Sequence, residues 1–69
     1  MDKEKADILC NIGFCDTSLG EHHSGLENYE GALKIYREIY GSNHNKYSAI
    51  AIGKMSRVYY NLGEKEKAR

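Results

Sequence analysis

Glu21, His22 and His23 form the one local cluster of metal-ligating groups in these 69 residues, and Cys10 and Cys15 are the only thiols. Neighbouring residues on a helix point about 100° apart, so the two histidines cannot share one ion, and no metal is expected. Cysteines five apart lie roughly 140° apart around a helix, which prevents a local bridge, and they lack CxxC spacing. Two free thiols, read as buried or half-buried small hydrophobes, fit a reducing cytoplasmic setting. Catalysis would need a nucleophile with a positioned base, paired carboxylates, or a phosphate-cradling glycine loop. None is present: the glycines form neither GxGxxG nor GxxxxGKS. The expectation is a protein without enzymatic activity or cofactor. Tyr29, Tyr36 and Tyr40 recur at helical spacing and are read as packing residues, not a ligand cage.

Charge narrows the choice of partners. Ten basic and ten acidic side chains cancel, whereas nucleic-acid binding needs a field of one sign. No apolar run approaches the ~20 residues that span a bilayer, and the charged amino terminus leads into no signal-peptide core. Neither nucleic acid nor membrane is therefore expected as a partner. A chain this short forms one domain, and it buries only roughly 60% of the surface its unfolded state exposes.

The elements follow from glycine punctuation. Gly20, Gly41 and Gly63 divide a proline-free chain into helix-length pieces, within which apolar residues recur with helical period. Helices are expected over about 3–19, 22–40 and 46–62, with the start of a fourth at 64–69. Ile8, Leu9, Ile12 and Leu19 mark the first stripe, with Cys15 beside it. Leu26, Tyr29, Leu33, Tyr36 and Tyr40 mark the second, and Ile52, Met55, Tyr59 and Leu62 the third, with Val58 adjacent. Gly41 suits a left-handed C-cap, and Ser42, Asn43, His44 and Asn45 form a polar turn whose side chains bond nearby backbone.

Displacing the chain by 43 residues superposes Leu19-Gly20-Glu21 on Leu62-Gly63-Glu64, Ala6 on Ala49, Leu9 on Ile52 and Ile12 on Met55. A period of this length is a mark of stacked helical hairpins. These residues resemble the tetratricopeptide repeats, in particular the variant of about 42 residues found in kinesin light chains. Leu19 and Gly20 match the family's leucine-glycine end of helix A, Ala32 its helix B alanine and Tyr36 its aromatic position. Ala32-Leu33-Lys34-Ile35 followed by Gly41-Ser42-Asn43-His44 is similar to the light-chain pattern, and Tyr59, Leu62, Gly63 and Ala68 begin it again. The sequence departs from the pattern at Asp16, His23, Gly25 and Asn45. These departures predict a loosely packed first hairpin. The fold class implied is all-α: antiparallel helix hairpins of an α-solenoid, about one and a half repeats of a tetratricopeptide-like superhelix. In it Gly20 and Ala32 allow close helix approach, while Tyr36, Tyr59 and the leucines fill the wedge between hairpins.

The resemblance also implies a function: a scaffold for protein–protein interaction, in which the first helix of each hairpin lines a groove for a peptide. With Leu9, Ile12 and Leu19 facing the partner helix, Cys10, Phe14, Thr17 and Ser18 project from the opposite flank, with Asn11 at its edge. The equivalent set in the next unit is Gly53, Arg57, Tyr60 and Asn61, edged by Lys54. The peptide-binding residues are thus expected to be Asn11, Phe14, Ser18, Lys54, Arg57, Tyr60 and Asn61, with Lys54 and Arg57 favouring an acidic segment. A second expectation comes from the third stripe, which has no full partner helix. Leaving it wet costs several kcal/mol at roughly 25 cal/mol per Å². Either the segment belongs to a longer array, or it self-associates as a homo-oligomeric structural repeat without a peptide ligand of its own.

Overall fold

The computed structural model describes residues 2–42 and 44–67, with side chains through Glu64. Asn43 of the polar turn and Ala68 of the second pattern lie outside the described residues. Among the described residues the chain is all-α, with α1 at Asp2–Ser18, α2 at His22–Tyr40 and α3 at Lys46–Lys67.

Each turn is fixed by local chemistry. Gly20 has φ 88, and the Glu21 and Gly20 amides donate to the Asp16 and Thr17 carbonyls at 2.8 and 3.1 Å. This is the two-bond Schellman closure of a helix, which needs a left-handed residue at its hinge. Gly41, with φ 78, closes α2 through one bond from its amide to the Arg37 carbonyl at 2.8 Å. Asn45 then caps α3: its Oδ1 accepts from the Ser48 amide at 2.9 Å, and its Nδ2 donates to the Ser48 hydroxyl and the Ser42 carbonyl. In the same turn the His44 backbone amide donates to the Ser42 hydroxyl at 3.2 Å.

Gly63 behaves differently from the other two punctuating glycines. It has no positive φ, and α3 runs through it to Lys67. Among the described residues the helix end expected at 62 and a separate fourth helix starting at 64 are therefore not found, and residues 68–69 of that expectation lie outside them. Glycine permits a left-handed cap without imposing one.

α2 lies antiparallel to both neighbours and packs between them. Ala6 of α1 meets Ala32 and Tyr36 of α2, while Leu26 and Tyr29 meet Val58, Met55 and Leu62 of α3. The first hairpin is tightly packed, contrary to the expectation drawn from Gly25. Gly13 and Gly25 are both buried, and a Cβ on Gly13 would lie 3.0 Å from the Gly25 carbonyl oxygen and 3.0 Å from the Tyr29 ring. These two glycines, not Gly20, set the close approach; a Cβ on Gly20 would meet nothing within 4 Å among the described residues. Asp16 joins the same contact, its carboxylate accepting from the Asn28 amide at 2.9 Å.

The buried rows also differ from those expected on the two flanking helices. On α1 the row against α2 is Ala6, Leu9, Cys10 and Gly13, while Ile8, Ile12 and Leu19 face outward, Leu19 being 80% exposed. On α3 it is Ser48, Ala51, Met55, Val58 and Leu62; Ile52 and Tyr59 are exposed. Large tyrosines on α2 occupy the space, so the residues opposite them must be small. Cys10 is half-buried and touches both core clusters, and Cys15 is exposed, so the thiols are not equivalent.

Candidate functional site

Helices α1 and α3 leave an open groove between them, floored by α2. Its larger hollow, about 310 Å³, is lined by Phe14, Thr17 and Ser18 of α1, Lys54, Arg57, Val58 and Asn61 of α3, and Tyr29 below. A second hollow of about 240 Å³ adjoins it, lined by Asp7, Cys10, Asn11, Tyr36, Tyr47, Ile50 and Lys54. Lys54 belongs to both and divides them.

The groove's composition follows from the repeat. Displaced by 43 residues, Asn11 falls on Lys54, Phe14 on Arg57 and Ser18 on Asn61. One row of each first helix thus faces the groove, and the two rows face each other across α2. Of the residues singled out from sequence, Phe14, Ser18, Lys54, Arg57 and Asn61 come together in the larger hollow, and Asn11 lies on the smaller. Tyr60 does not join them: it is 67% exposed and lines neither hollow. It falls one repeat from Thr17, at the edge of the row that packs on a second helix. Cys10, half-buried, lines the smaller hollow.

The electrostatics of the two hollows contrast. In the larger, Lys54 and Arg57 face no carboxylate among the described lining residues. The Lys54 ammonium rests over the Phe14 ring, 4.8 Å from its centre, a weak cation–π contact at an exposed site. Burial pushes the Tyr29 hydroxyl above the usual tyrosine range, so it stays a neutral donor on the floor.

The smaller hollow holds a carboxylate. The Tyr36 hydroxyl donates to Asp7, and Lys3 donates to its other oxygen at 3.1 Å. The Tyr36 bond first, and Lys3 second, hold the Asp7 carboxyl below its ordinary range, and the bond to Asp7 raises Lys3. Burial, then the bond to Asp7, raises the Tyr36 hydroxyl. The Cys10 thiol beside them is raised chiefly by burial, which makes it a poor nucleophile. Tyr47 closes this end, stacked at 5.5 Å on Tyr36 and 5.6 Å on Tyr40, with the Lys3 and Lys46 ammonium groups 4.4 and 5.3 Å from its ring centre.

The sequence reading missed the Asp7–Tyr36 bond and the Tyr47 stack. Asp7 and Tyr36 are 29 residues apart, and only the antiparallel register of α1 and α2 brings them together. Among the described residues no three His, Cys, Asp or Glu side chains gather as metal ligands, and no helix is long and apolar enough to cross a membrane. The arrangement offers hydrogen-bond donors, two cations and aromatic walls along an open channel, which suits non-covalent capture of an extended chain.

In comparison with known proteins, a family model described as tetratricopeptide repeat matches residues 4–69. No curated protein and no solved structure matches the chain.

Proposed function

From a chain that belongs to the tetratricopeptide repeat family, we propose a scaffold that holds a partner protein by an acidic peptide segment laid along the groove between α1 and α3. The family is a non-catalytic one whose members are in general protein–protein interaction modules, and this chain is read as acting without enzymatic chemistry. One observation carries the reading: Lys54 and Arg57 line a hollow with Phe14, Ser18 and Asn61, and no carboxylate among the described lining residues neutralises them. A peptide carboxylate can take the forked guanidinium of Arg57 in a bidentate pair.

The kinesin light chain-like variant of the repeat is the subfamily proposed, on Ala32-Leu33-Lys34-Ile35 and the glycine-histidine turn at Gly41 to His44. Two free cysteines suit the reducing cytoplasm, the compartment proposed. With balanced charge, neither nucleic acid nor membrane is proposed as a partner.

The test uses a fluorescein-labelled peptide library enriched in Asp and Glu, read by anisotropy against the intact chain. Lys54→Glu with Arg57→Glu is expected to abolish capture while circular dichroism stays unchanged. Undiminished capture by that double variant would move the site away from the groove.

A second reading has its own observation. Ile8 and Ile12 on α1, Leu19 just after it, and Ile52 and Tyr59 on α3 are exposed, which supports a homo-oligomeric structural repeat that buries these rows in association. Sedimentation velocity is expected to show concentration-dependent assembly; a monomer at every concentration excludes it.

A further inference from the structure

Resting on the groove reading above, we infer that the hollow between Phe14, Ser18, Arg57 and Asn61 takes a dianionic phosphate monoester on the bound peptide in preference to a carboxylate. Among the described residues the one ion pair is Lys3 with Asp7, so Lys54 and Arg57 meet without an acidic partner. A carboxylate brings one negative charge and two oxygens in a plane, which leaves one of these cations uncompensated. A phosphate monoester brings about −1.5 to −2 at pH 7 and three acceptor oxygens.

The donors are arranged for that shape. The Arg57 guanidinium can engage two oxygens as a fork, and Lys54, resting over the Phe14 ring, can turn onto the third. Ser18 on α1 and Asn61 on α3 stand one repeat apart and offer a hydroxyl and an amide from opposite walls. The adjoining hollow differs in that its carboxylate, Asp7, is already bound by Tyr36 and Lys3, so the Lys3 ammonium is compensated there while Lys54 and Arg57 are not.

The experiment titrates the isotope-labelled chain with three blocked tripeptides that differ only in their central residue: alanine-phosphoserine-alanine, alanine-glutamate-alanine and alanine-serine-alanine. Backbone amide shifts at Phe14, Ser18, Arg57 and Asn61 are the readout. The phosphopeptide is expected to bind at least about tenfold more tightly than the glutamate peptide, the gain of one further charge-assisted bond. Its affinity is expected to fall between pH 7 and pH 5, since the second phosphate ionisation lies near 6, while that of the glutamate peptide holds. The ionisable groups that face the hollow are Lys54 and Arg57 from α3 and Tyr29 from α2, the last raised by burial, and α1 supplies none. Arg57→Gln, at an exposed position, is expected to remove the preference and leave helicity intact. Equal affinity for the phosphoserine and glutamate peptides, or a preference that survives Arg57→Gln, overturns the phosphate assignment and leaves the acidic-peptide reading standing. Absence of groove shifts with all three peptides overturns both.

Discussion

Two glycine-to-alanine substitutions on equivalent helices are expected to change stability in opposite directions. Alanine is favoured over glycine in a helix interior by about 0.8–1.0 kcal/mol, so a substitution that meets open space gains about that much. Gly53 in α3 is such a site, with nothing within 4 Å of a built Cβ. Gly13 in α1 is the opposite case. Its Cβ would lie 3.0 Å from the Gly25 carbonyl oxygen and 3.0 Å from two Tyr29 ring carbons, and the Tyr29 side chain is fully buried. Neither neighbour can yield freely: one is backbone of the facing helix, the other a ring already enclosed. Overpacking of this kind costs about 1–3 kcal/mol, against the same propensity gain, for a net loss of roughly 1 kcal/mol. The two variants should then differ by about 2 kcal/mol, which for a domain of this size separates their melting temperatures by roughly 10 °C. Thermal melts followed by circular dichroism measure this directly, at low protein concentration so that the face carrying Gly53 stays open. If Gly13→Ala melts with Gly53→Ala or above it, the close approach of α1 and α2 at Gly13 and Gly25 is not what seats the hairpin.

Asp7, held below its ordinary range by Tyr36 and then Lys3, contributes stability that is present above its unfolded value near 3.9 and lost as pH falls through the lower folded value; acid titration monitored by circular dichroism should show this loss below about pH 4, reduced in Tyr36→Phe, and an unchanged acid limb in Tyr36→Phe removes the bond from the account. Asn45→Ala removes the cap of α3 and is expected to cost about 1 kcal/mol in denaturant titration, whereas a loss within error shows that Ser42 and Ser48 cap the helix without it. Cys15, exposed, should alkylate with iodoacetamide well before Cys10, which is half-buried with its thiol raised; mass spectrometry after partial labelling reads the order, and Cys10 reacting first contradicts the packing of α1.

Much of the fold was legible because helix ends and periodicity are local properties. The left-handed closures at Gly20 and Gly41 each rest on bonds within a few residues, and the run from Leu26 to Tyr36 points to one side of α2 as its spacing requires. Gly63 shows the limit of that logic, since nothing local decides whether a permissive residue bends the chain or continues the helix. The orientation of α1 and α3 was harder for another reason. A helix inside a stack of hairpins has two packing faces, so its apolar residues occupy more than one row and period alone does not tell which row meets which neighbour. Ile12 and Leu19 looked like the inner row because they are large, yet the large tyrosines of α2 demand Ala6 and Gly13 opposite them. Phe14, Ser18, Lys54, Arg57 and Asn61 line one hollow even so, because they were taken from the flank opposite Leu9, which does pack on α2. Tyr60 was misplaced into that row because its position is the repeat of Thr17, at the border between groove and packing face.

The 43-residue displacement explains the exposed rows as well as the groove. The row of α3 that packs on α2, namely Ser48, Ala51, Met55, Val58 and Leu62, falls one repeat from Lys5, Ile8, Ile12, Cys15 and Leu19, which is the outward row of α1. The row of α1 that packs on α2, including Ala6, Leu9 and Gly13, falls one repeat from Ala49, Ile52 and Ser56, which are exposed on α3. Each first helix therefore carries two rows shaped for a helix of the α2 kind, and α2 itself satisfies one row from each. What remains open on α1 is a ridge of large residues, and on α3 a channel of small ones flanked by Ile52 and Tyr59. Cys15 occupies the ridge position equivalent to Val58, which is buried at 4% exposure where α3 is covered. Cover of the ridge, by another copy or by a further repeat, must then enclose the thiol. Slower alkylation of Cys15 at high protein concentration, with Cys10 unchanged, is the expected sign of assembly through this face, and Ile12→Asp should abolish the slowing. Equal rates at all concentrations would mean that the ridge stays wet and that any assembly of this chain uses the channel of α3 alone.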